Sequence, residues 1–331
     1  MDITASIVIV SMNNTSCLFP CLDSIRKHTA VSYETLVVAY MFSEENLALL
    51  SRKYPWVTVI RSDELRGFAE NNNLALEQAK GKYCFIVNDD TLMSMPVIDR
   101  LVADMEALDE NTAAISPEIV FPDGRVQTCG RGPWTPCRYL RHYLHLVDET
   151  KQTRWTMQKG IFRTYTLNGA CFLAKTDIFR QAGWFDPTYT FTPEDIALGT
   201  LFSRSGHPVY VDADVRITHI ANATASRMEA AIKPTRVRGS LIFYSSLRNI
   251  RPNQGTEGCN RLTYTLMGAF IWCFEALRGL KYLLCDCSDR TPESRRNRIM
   301  REAAANVRRS IFTKRTTKEI FTDYYNLVRK R

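Results

Sequence analysis

Within the first ninety residues, short β-rich runs and helical patterns take strict turns. Residues 6–10, 35–39, 57–60 and 83–87 are strand-length runs rich in Val, Ile and aromatic side chains, and the stretches 17–27, 44–54 and 68–79 between them carry helical spacing. A chain that runs strand, helix, strand has to cross over between neighbouring strands. This order therefore predicts an α/β fold, a mostly parallel sheet with helices on both faces. The strand runs are apolar almost throughout, as expected where both faces are covered. Sheets of this kind take ligands at the carboxyl ends of their strands. Two stretches thus become candidates for a site: residues 11–14 after the first strand, and Asn88-Asp89-Asp90 after the fourth.

From about residue 112 the alternation gives way to hairpin-like pieces with turn signals, Pro122-Asp123-Gly124 and residues 130–136. It resumes with a strand over 166–174, a short helix over 177–182, a loop over 183–193 and a helix over about 194–205. Strands over 209–211 and 215–218 follow, ending at His219. Beyond about residue 220 the signals are mostly helical, so the expected division is 1–220 and 221–331. The 331 residues are 45% hydrophobic and 24% charged, enough for one sizeable core and a smaller second unit, which excludes disordered, collagenous and disulfide-scaffold classes. No basic, apolar leader precedes the first strand, so no secretion is expected. The ten cysteines are scattered, often inside apolar runs as at Cys84, Cys171 and Cys273, which reads as reduced thiols of a cytosolic protein. Cys17/Cys21 and Cys285/Cys287 lack the second ligand pair that a structural zinc site needs.

The net charge of +8 is unevenly spread. Residues 290–331 hold thirteen Lys or Arg against four acids, an excess of nine, and the rest of the chain is about neutral. A basic tail on a neutral body calls for a polyanionic surface, either an anionic membrane leaflet or nucleic acid. Just before it, Leu262, Leu266, Phe270, Cys273, Leu277, Leu280 and Leu284 recur at steps of four and three, one face of an amphipathic helix over about 261–285. Glu275, Arg278 and Lys281 interrupt that segment, so no uncharged run reaches the roughly 18–20 residues needed to span a bilayer. An interfacial helix followed by a polybasic tail supplies two weak signals that together hold a protein on a membrane surface. The alternative is a helix packed on the protein's own core beside a solvated basic face. No aromatic-basic interleaving of a nucleic-acid platform is visible, and no nucleic acid is expected as a partner.

Three constellations can carry chemistry. Adjacent carboxylates at Asp89 and Asp90, on the rigid edge of a strand, repel one another unless a cation neutralises them. Oxygen ligands there suit Mg²⁺ or Mn²⁺, which in turn bridges a substrate diphosphate. The same residues also read as a turn or a helix cap, with Asp90-Thr91 ahead of a helical segment. Phe185-Asp186-Pro187, followed by Thr192-Pro193-Glu194-Asp195, opens a helix. A carboxylate there is either a cap stabilised by the helix dipole or a general base that takes the proton of an attacking sugar hydroxyl. His219 closes a strand and reads as a structural residue or as a ligand.

Taken in order, the stretches Ser6-Ile7-Val8-Ile9-Val10-Ser11-Met12-Asn13, Arg66-Gly67-Phe68-Ala69-Glu70-Asn71-Asn72-Asn73 and Gly81-Lys82-Tyr83-Cys84-Phe85-Ile86-Val87-Asn88-Asp89-Asp90-Thr91 resemble the family 2 glycosyltransferases. Asn168-Gly169-Ala170-Cys171-Phe172-Leu173, Gly183-Trp184-Phe185-Asp186, Glu194-Asp195 and residues 215–219 extend the match, which covers about residues 3–220. They resemble in particular the branch that includes bacterial rhamnosyltransferase-like enzymes of polysaccharide assembly. The resemblance implies a GT-A fold and an inverting, metal-dependent transfer of a sugar from a UDP-, dTDP- or GDP-sugar to a glycan acceptor. It implies Mn²⁺ or Mg²⁺ as cofactor, with Asp90 as a metal ligand and His219 as a further one. Asp195 falls where the base stands. Asn13, Arg66, Asn73, Asn88 and Asp89 fall along the nucleotide-sugar site, and Glu194 and Trp184 along the acceptor. Together with the amphipathic helix and basic tail, this leads to the expectation of a lipid-linked acceptor and a cytoplasmic enzyme, peripheral on the inner face of the membrane, with an oligomer left open.

The chain departs from the pattern after its second strand. Relatives carry an acid there that contacts the base or ribose, whereas this sequence reads Val38-Ala39-Tyr40-Met41-Phe42-Ser43. Tyr40 is a candidate for stacking on a base, and Glu44 or Glu45 for replacing the acid. Three other readings stay open at this point. One is a nucleotidyltransferase on the same kind of sheet, although residues 11–18 contain none of the glycines such enzymes use. The others are a non-catalytic polyanion-binding protein and an inactive relative.

Overall fold

The computed structural model describes residues 2–127, 130–147, 157–220, 229–250, 258–288 and 290–329. The chain divides into two compact units. The first comprises Met1–Pro133, Val147–Asp186 and Glu194–Ala223. The second comprises Trp134–Leu146, Pro187–Pro193 and Thr224–Arg331, so two segments from within the first 220 residues pack with the helices that follow.

In chain order the elements are β1 (Ala5–Met12), α1 (Thr15–His28), β2 (Tyr33–Tyr40), α2 (Glu44–Lys53), β3 (Val57–Ser62), α3 (Phe68–Leu76) and β4 (Tyr83–Val87). Then come β5 (Thr91–Leu92), α4 (Val97–Ala107), β6 (Ala114–Val120), α5 (Pro136–Tyr143), β7 (Ile161–Thr164), β8 (Cys171–Lys175), α6 (Thr176–Gln181), α7 (Glu194–Arg204) and β9 (Val209–His219). Among the described residues four α-helices follow: α8 (Glu229–Ser246), α9 (Arg261–Leu283), α10 (Pro292–Ser310) and α11 (Thr317–Arg329).

Among the described residues nine strands form one sheet in the order β3-β2-β1-β4-β8-β6-β9-β5, with β7 also paired to β9. Side-chain alternation along β1 separates two cores. Ile7 and Ile9 face a layer that includes Leu18, Leu22 and Ile25 of α1, Leu50 of α2 and Leu101 of α4. Val8 faces Ala75 and Leu76 of α3, Phe179 of α6 and Leu198 and Phe202 of α7. Both faces are thus covered, which is why the strand runs are apolar throughout. The strands β1, β2, β3 and β4 run parallel, as their crossover helices require.

The second half of the sheet departs from the expected parallel order. β8 runs antiparallel between β4 and β6, and β5 and β7 run antiparallel to β9. The predicted strand over 166–174 is shorter and starts at Cys171, because residues 168–170 turn: Asn168 Oδ1 accepts from the Ala170 N–H at 3.0 Å. The region after residue 112, read as hairpin pieces, contains β6, a fully buried strand between β8 and β9. Its Pro117 interrupts the apolar pattern and carries no N–H. There the register to β9 slips, Pro117 pairing with Asp212 and Glu118 with Arg216, so the two short strands expected at 209–218 are one bulged strand. The Pro122-Asp123-Gly124 turn is present, with Gly124 at φ +81°.

In the second unit α8 is buried nearly all round and forms the centre of the helical packing. The Asn306 side chain donates to the Ala230 carbonyl at 3.0 Å, and the Ile311 carbonyl accepts from Arg238 at 2.7 Å and from the Tyr264 hydroxyl at 2.6 Å. Glu275 of α9, fully buried, accepts from Lys233 Nζ at 2.9 Å and from the Tyr143 hydroxyl at 2.7 Å. The predicted amphipathic segment over 261–285 is α9, and residues 330 and 331 of the basic tail lie outside the described residues.

Candidate functional site

Every residue named from the sequence as a catalytic, metal, donor or acceptor candidate belongs to the first unit. The site grows from the end of β4. After Val87 the chain turns, with Thr91 Oγ1 donating to the Asn88 carbonyl at 2.9 Å, and re-enters the sheet as the two-residue strand β5. β5 pairs with the end of β9 so that Thr91 stands opposite His219, and the Ile220 N–H donates to the Asp90 carbonyl at 3.0 Å. This ladder fixes Asp90 against His219. Asp90 is therefore not a helix cap, since α4 begins only at Val97 after Pro96.

His219 Nε2 lies 3.2 Å from Asp90 Oδ1 and 3.3 Å from the Asn88 side-chain amide. On the other side of the ring Nδ1 lies 2.9 Å from Gln127 Oε1, and Gln127 Nε2 donates to the His219 carbonyl at 2.9 Å. Because a carbonyl can only accept, that second bond fixes the amide orientation and makes Oε1 the acceptor for Nδ1–H. In the neutral ring the lone pair is then on Nε2, facing Asp90. An imidazole oriented from behind in this way is the arrangement of metal-ligating histidines. Two ligands in adjacent positions of an octahedral shell with bonds of about 2.1 Å lie about 3 Å apart, so the observed pair fits Mg²⁺ or Mn²⁺. Among the described residues no group of three or more His, Cys, Asp or Glu is placed to hold a metal ion, so a cation held by Asp90 and His219 would take its other ligands from water and phosphate oxygens. Asp89 stands beside this pair, its Oδ2 accepting from Ser11 Oγ at the end of β1 at 2.6 Å. Burial pushes its carboxyl up to about 7, against the Ser11 hydrogen bond that stabilises the anion.

Asp195 reaches the same edge through β8. Val87 pairs with Cys171, so the lead-in to β8 lies beside the exit from β4, and the Asn88 N–H donates to the Ala170 carbonyl at 3.0 Å. The next residue back, Gly169, donates its N–H to Asp195 Oδ2 at 3.0 Å, while Asp195 Oδ1 accepts from the Ile196 N–H at 2.7 Å. Burial raises the Asp195 carboxyl above its ordinary range, and the two backbone donors together with Arg131 pull the other way. Its neighbour Glu194 is buried in the first turn of α7.

The other candidates are distributed along the rim. Asn13 at φ +50° and Met41 at φ +53° end β1 and β2 in the left-handed region that non-glycine residues seldom adopt. Asn13 Oδ1 accepts from the Ser43 N–H at 3.1 Å and from the Asn46 side chain at 2.8 Å, tying the rim to the start of α2. Arg66 donates to Ser62 Oγ at 3.2 Å and pairs with Glu64 at 2.6 Å. Asn73 clamps Phe185, donating to its carbonyl at 2.8 Å and accepting from its N–H at 3.1 Å. That clamp holds the turn in which Trp184 sits at φ +62°, its ring 5.2 Å from Phe179 and under the Arg180 guanidinium. Tyr40, a candidate for stacking on a base, is buried with 4% of its surface exposed, and its hydroxyl accepts from the Arg66 N–H. Its ring is part of the core because β2 is covered on both faces. Glu44 is committed to an ion pair with Arg61 at 2.6 Å.

Sequence reasoning missed Gln127 and Gly169 as parts of the site, and it marked the stretch that begins at Ser11 without the bond of Ser11 to Asp89. Gly169 lies inside a quoted motif, but a contact made by a backbone N–H has no side-chain signature. Gln127 follows a turn and carried no signal at all.

The family model described as glycosyltransferase like family 2 matches residues 4–238. The O-antigen biosynthesis protein RfbC of Myxococcus xanthus is 24% identical over 231 residues, which is 69% of this chain but only 18% of that protein's length. Among solved structures, GalNAc-T7 with UDP, GalNAc and Mn²⁺ superposes with a TM-score of 0.57 at 15% identity, covering 90% of this chain and 54% of that one. The mannosyltransferase PcManGT of Pyrobaculum calidifontis, in complex with GDP-Man and Mn²⁺, gives 0.52 at 14% identity, over 93% of this chain and 87% of that one. The sheet, its helical layers and these superpositions are those of the GT-A fold, and with the family match over most of its length this chain belongs to the family 2 glycosyltransferases.

Proposed function

We propose that this glycosyltransferase inverts the anomeric centre, moving a hexosyl or deoxyhexosyl unit from a nucleoside diphosphate sugar to a hydroxyl of a lipid-linked glycan. The product is a cell-surface polysaccharide, assembled at the inner face of a membrane. The observation that carries the reading is the Asp195 carboxylate, anchored by the Gly169 N–H next to the Ala170 carbonyl that pairs with Asn88 at the exit from β4, where Asp90 stands against His219. A sugar hydroxyl is a poor nucleophile while it keeps its proton. A carboxylate held by two backbone donors and raised in basicity by burial accepts that proton as the oxygen attacks. Attack from the face opposite the departing diphosphate, in one displacement, inverts the configuration.

Asp90 and His219 would hold Mn²⁺ or Mg²⁺, which when bound supplies positive charge against the diphosphate leaving group. Gln127 keeps the His219 lone pair directed there. Asn88, Asp89, Asn13, Arg66 and Asn73 shape the donor side of the rim, two of them through their neighbours: Asn13 through the start of α2 and Asn73 through Phe185. Trp184 and Glu194 stand on the acceptor side. The relatives support this reading through what their names record: UDP with GalNAc and Mn²⁺, GDP-Man with Mn²⁺, and O-antigen biosynthesis.

The test is nucleoside diphosphate release from a panel of UDP-, dTDP- and GDP-sugars with Mn²⁺ or Mg²⁺, beside the Asp90→Ala and Asp195→Ala variants. Release from one donor, lost with Asp90→Ala and with chelator, and a product of opposite anomeric configuration by NMR are the expected results. A retained configuration, or silence across the panel with no nucleotide binding by calorimetry, would overturn the reading.

A further inference from the structure

α9 has two apolar faces, and the protein uses one of them. Met267, Gly268, Ile271 and Gly279 are buried, and Gly268 lies so close to Ile311 and Phe312 that a methyl group there would meet the Ile311 side chain at 2.8 Å. The opposite face is the leucine stripe. Leu262, Leu266, Leu277, Leu280, Leu283 and Leu284 are 69%, 63%, 66%, 59%, 63% and 93% exposed. A continuous apolar stripe of this length facing water marks a binding surface.

We propose that this face of α9 enters the interface of an anionic bilayer, with the helix lying in the membrane plane. The proposal deepens the placement at a membrane made above by naming the surface that makes the contact. The stripe carries no charge along its length. The helix has charges at Arg261 and Lys281 near its ends, and between them only Glu275 and Arg278. Those two turn inward: Glu275 is fully buried on Lys233, and Arg278 lies 3.4 Å from it. Phe270 and Trp272 are 45% and 41% exposed and, two residues apart on a helix, stand on opposite edges of the stripe, where interfacial aromatics belong. Among the described residues no helix is long and apolar enough to cross a membrane, so α9 lies on a bilayer and does not span it.

Charge decides between a bilayer and a second copy of the chain. Leu266, Phe270, Cys273, Leu277, Leu280 and Leu284 follow a coiled-coil spacing, but of the flanking positions only Lys281 is charged, so they offer no opposite-charge pair to set a helix dimer. Residues 290–331 carry an excess of nine positive charges. Their helix α10 packs on the other face of α9, so a second copy joined along the stripe would supply no opposite charge, whereas an anionic leaflet does.

The experiment is flotation of the full chain with phosphatidylcholine vesicles, with and without phosphatidylglycerol. It is repeated for the triple variant Leu266→Glu, Leu277→Glu, Leu280→Glu, whose positions are exposed and whose melting curve checks the fold. The chain should float with the anionic vesicles and the triple variant should bind them about tenfold less or weaker still. Trp272→Phe should remove a blue shift in emission seen on vesicle addition. Equal flotation of both proteins, or a chain that stays in buffer, would overturn the proposal. So would a dimer by light scattering that the triple variant converts to monomer without any flotation, since that assigns the face to a second copy. Donor hydrolysis is read separately: its absence with flotation intact would strike the catalytic reading and leave this one standing.

Discussion

The Gly169 N–H lies 3.0 Å from Asp195 Oδ2, so the carboxylate on α7 is aimed by the backbone that leads into β8. Asp195→Asn keeps the size of the side chain but removes the base. We expect sugar transfer to fall by about 10²- to 10⁴-fold with little change in donor binding, checked by kcat and by calorimetric titration with the donor. Because burial places the Asp195 carboxyl above its ordinary range, the wild-type rate should fall on the acid side as this group takes up its proton. The residual activity of the variant should lack that limb.

The Gln127 side chain turns both ends of its amide to His219. Gln127→Leu, similar in size, frees the imidazole to rotate and to change tautomer. Mn²⁺ affinity in the presence of a nucleoside diphosphate should drop about 10- to 100-fold, with the melting temperature nearly unchanged; titration calorimetry measures it. An unchanged affinity would remove His219 from the metal shell.

Asp104 of α4 faces Asp212 of β9, and burial together with this neighbour raises its carboxyl to about 6. In the unfolded chain the group titrates near 3.9. Between about pH 4 and 6 the native state therefore binds the proton that the unfolded state has lost, and stability declines as pH rises through that window. Asp104→Asn should match wild type near pH 4 and be more stable at pH 8, by on the order of 1–2 kcal/mol once solvent screening is allowed for. Urea denaturation at the two pH values tests the sign.

Gly81 sits where a Cβ would lie 2.5 Å from the Ser6 backbone nitrogen and 2.7 Å from the Ala5 carbonyl carbon. Neither atom can move without parting β1 from β4. Gly81→Ala should cost about 2–3 kcal/mol in denaturant unfolding and, by displacing β4, lower activity without touching the site.

The local pattern of the first ninety residues was enough to set β1 to β4 and the helices between them, because crossover helices and doubly buried strands leave periodic, apolar traces. The predicted strand over 83–87 is β4 itself. The positions of Asp90, Asp195 and His219 were legible too, since each lies at the end of an element that the sequence marks. Their company was not. β8 enters the sheet antiparallel, β6 hides behind Pro117, and β5 has only two residues, so each owes its place to partners distant in sequence. That is how Gly169 meets Asp195, 26 residues away, and how Gln127 meets His219, 92 residues away.

The same division holds for the C-terminal helices. By itself the amino-acid order determined that residues 261–285 form an amphipathic helix followed by a basic segment. Only the tertiary packing decided that α9 buries Met267 and Ile271 and leaves its leucines in water. A helical period says that an apolar face exists, whereas which apolar face is covered depends on the neighbours that the fold brings to it.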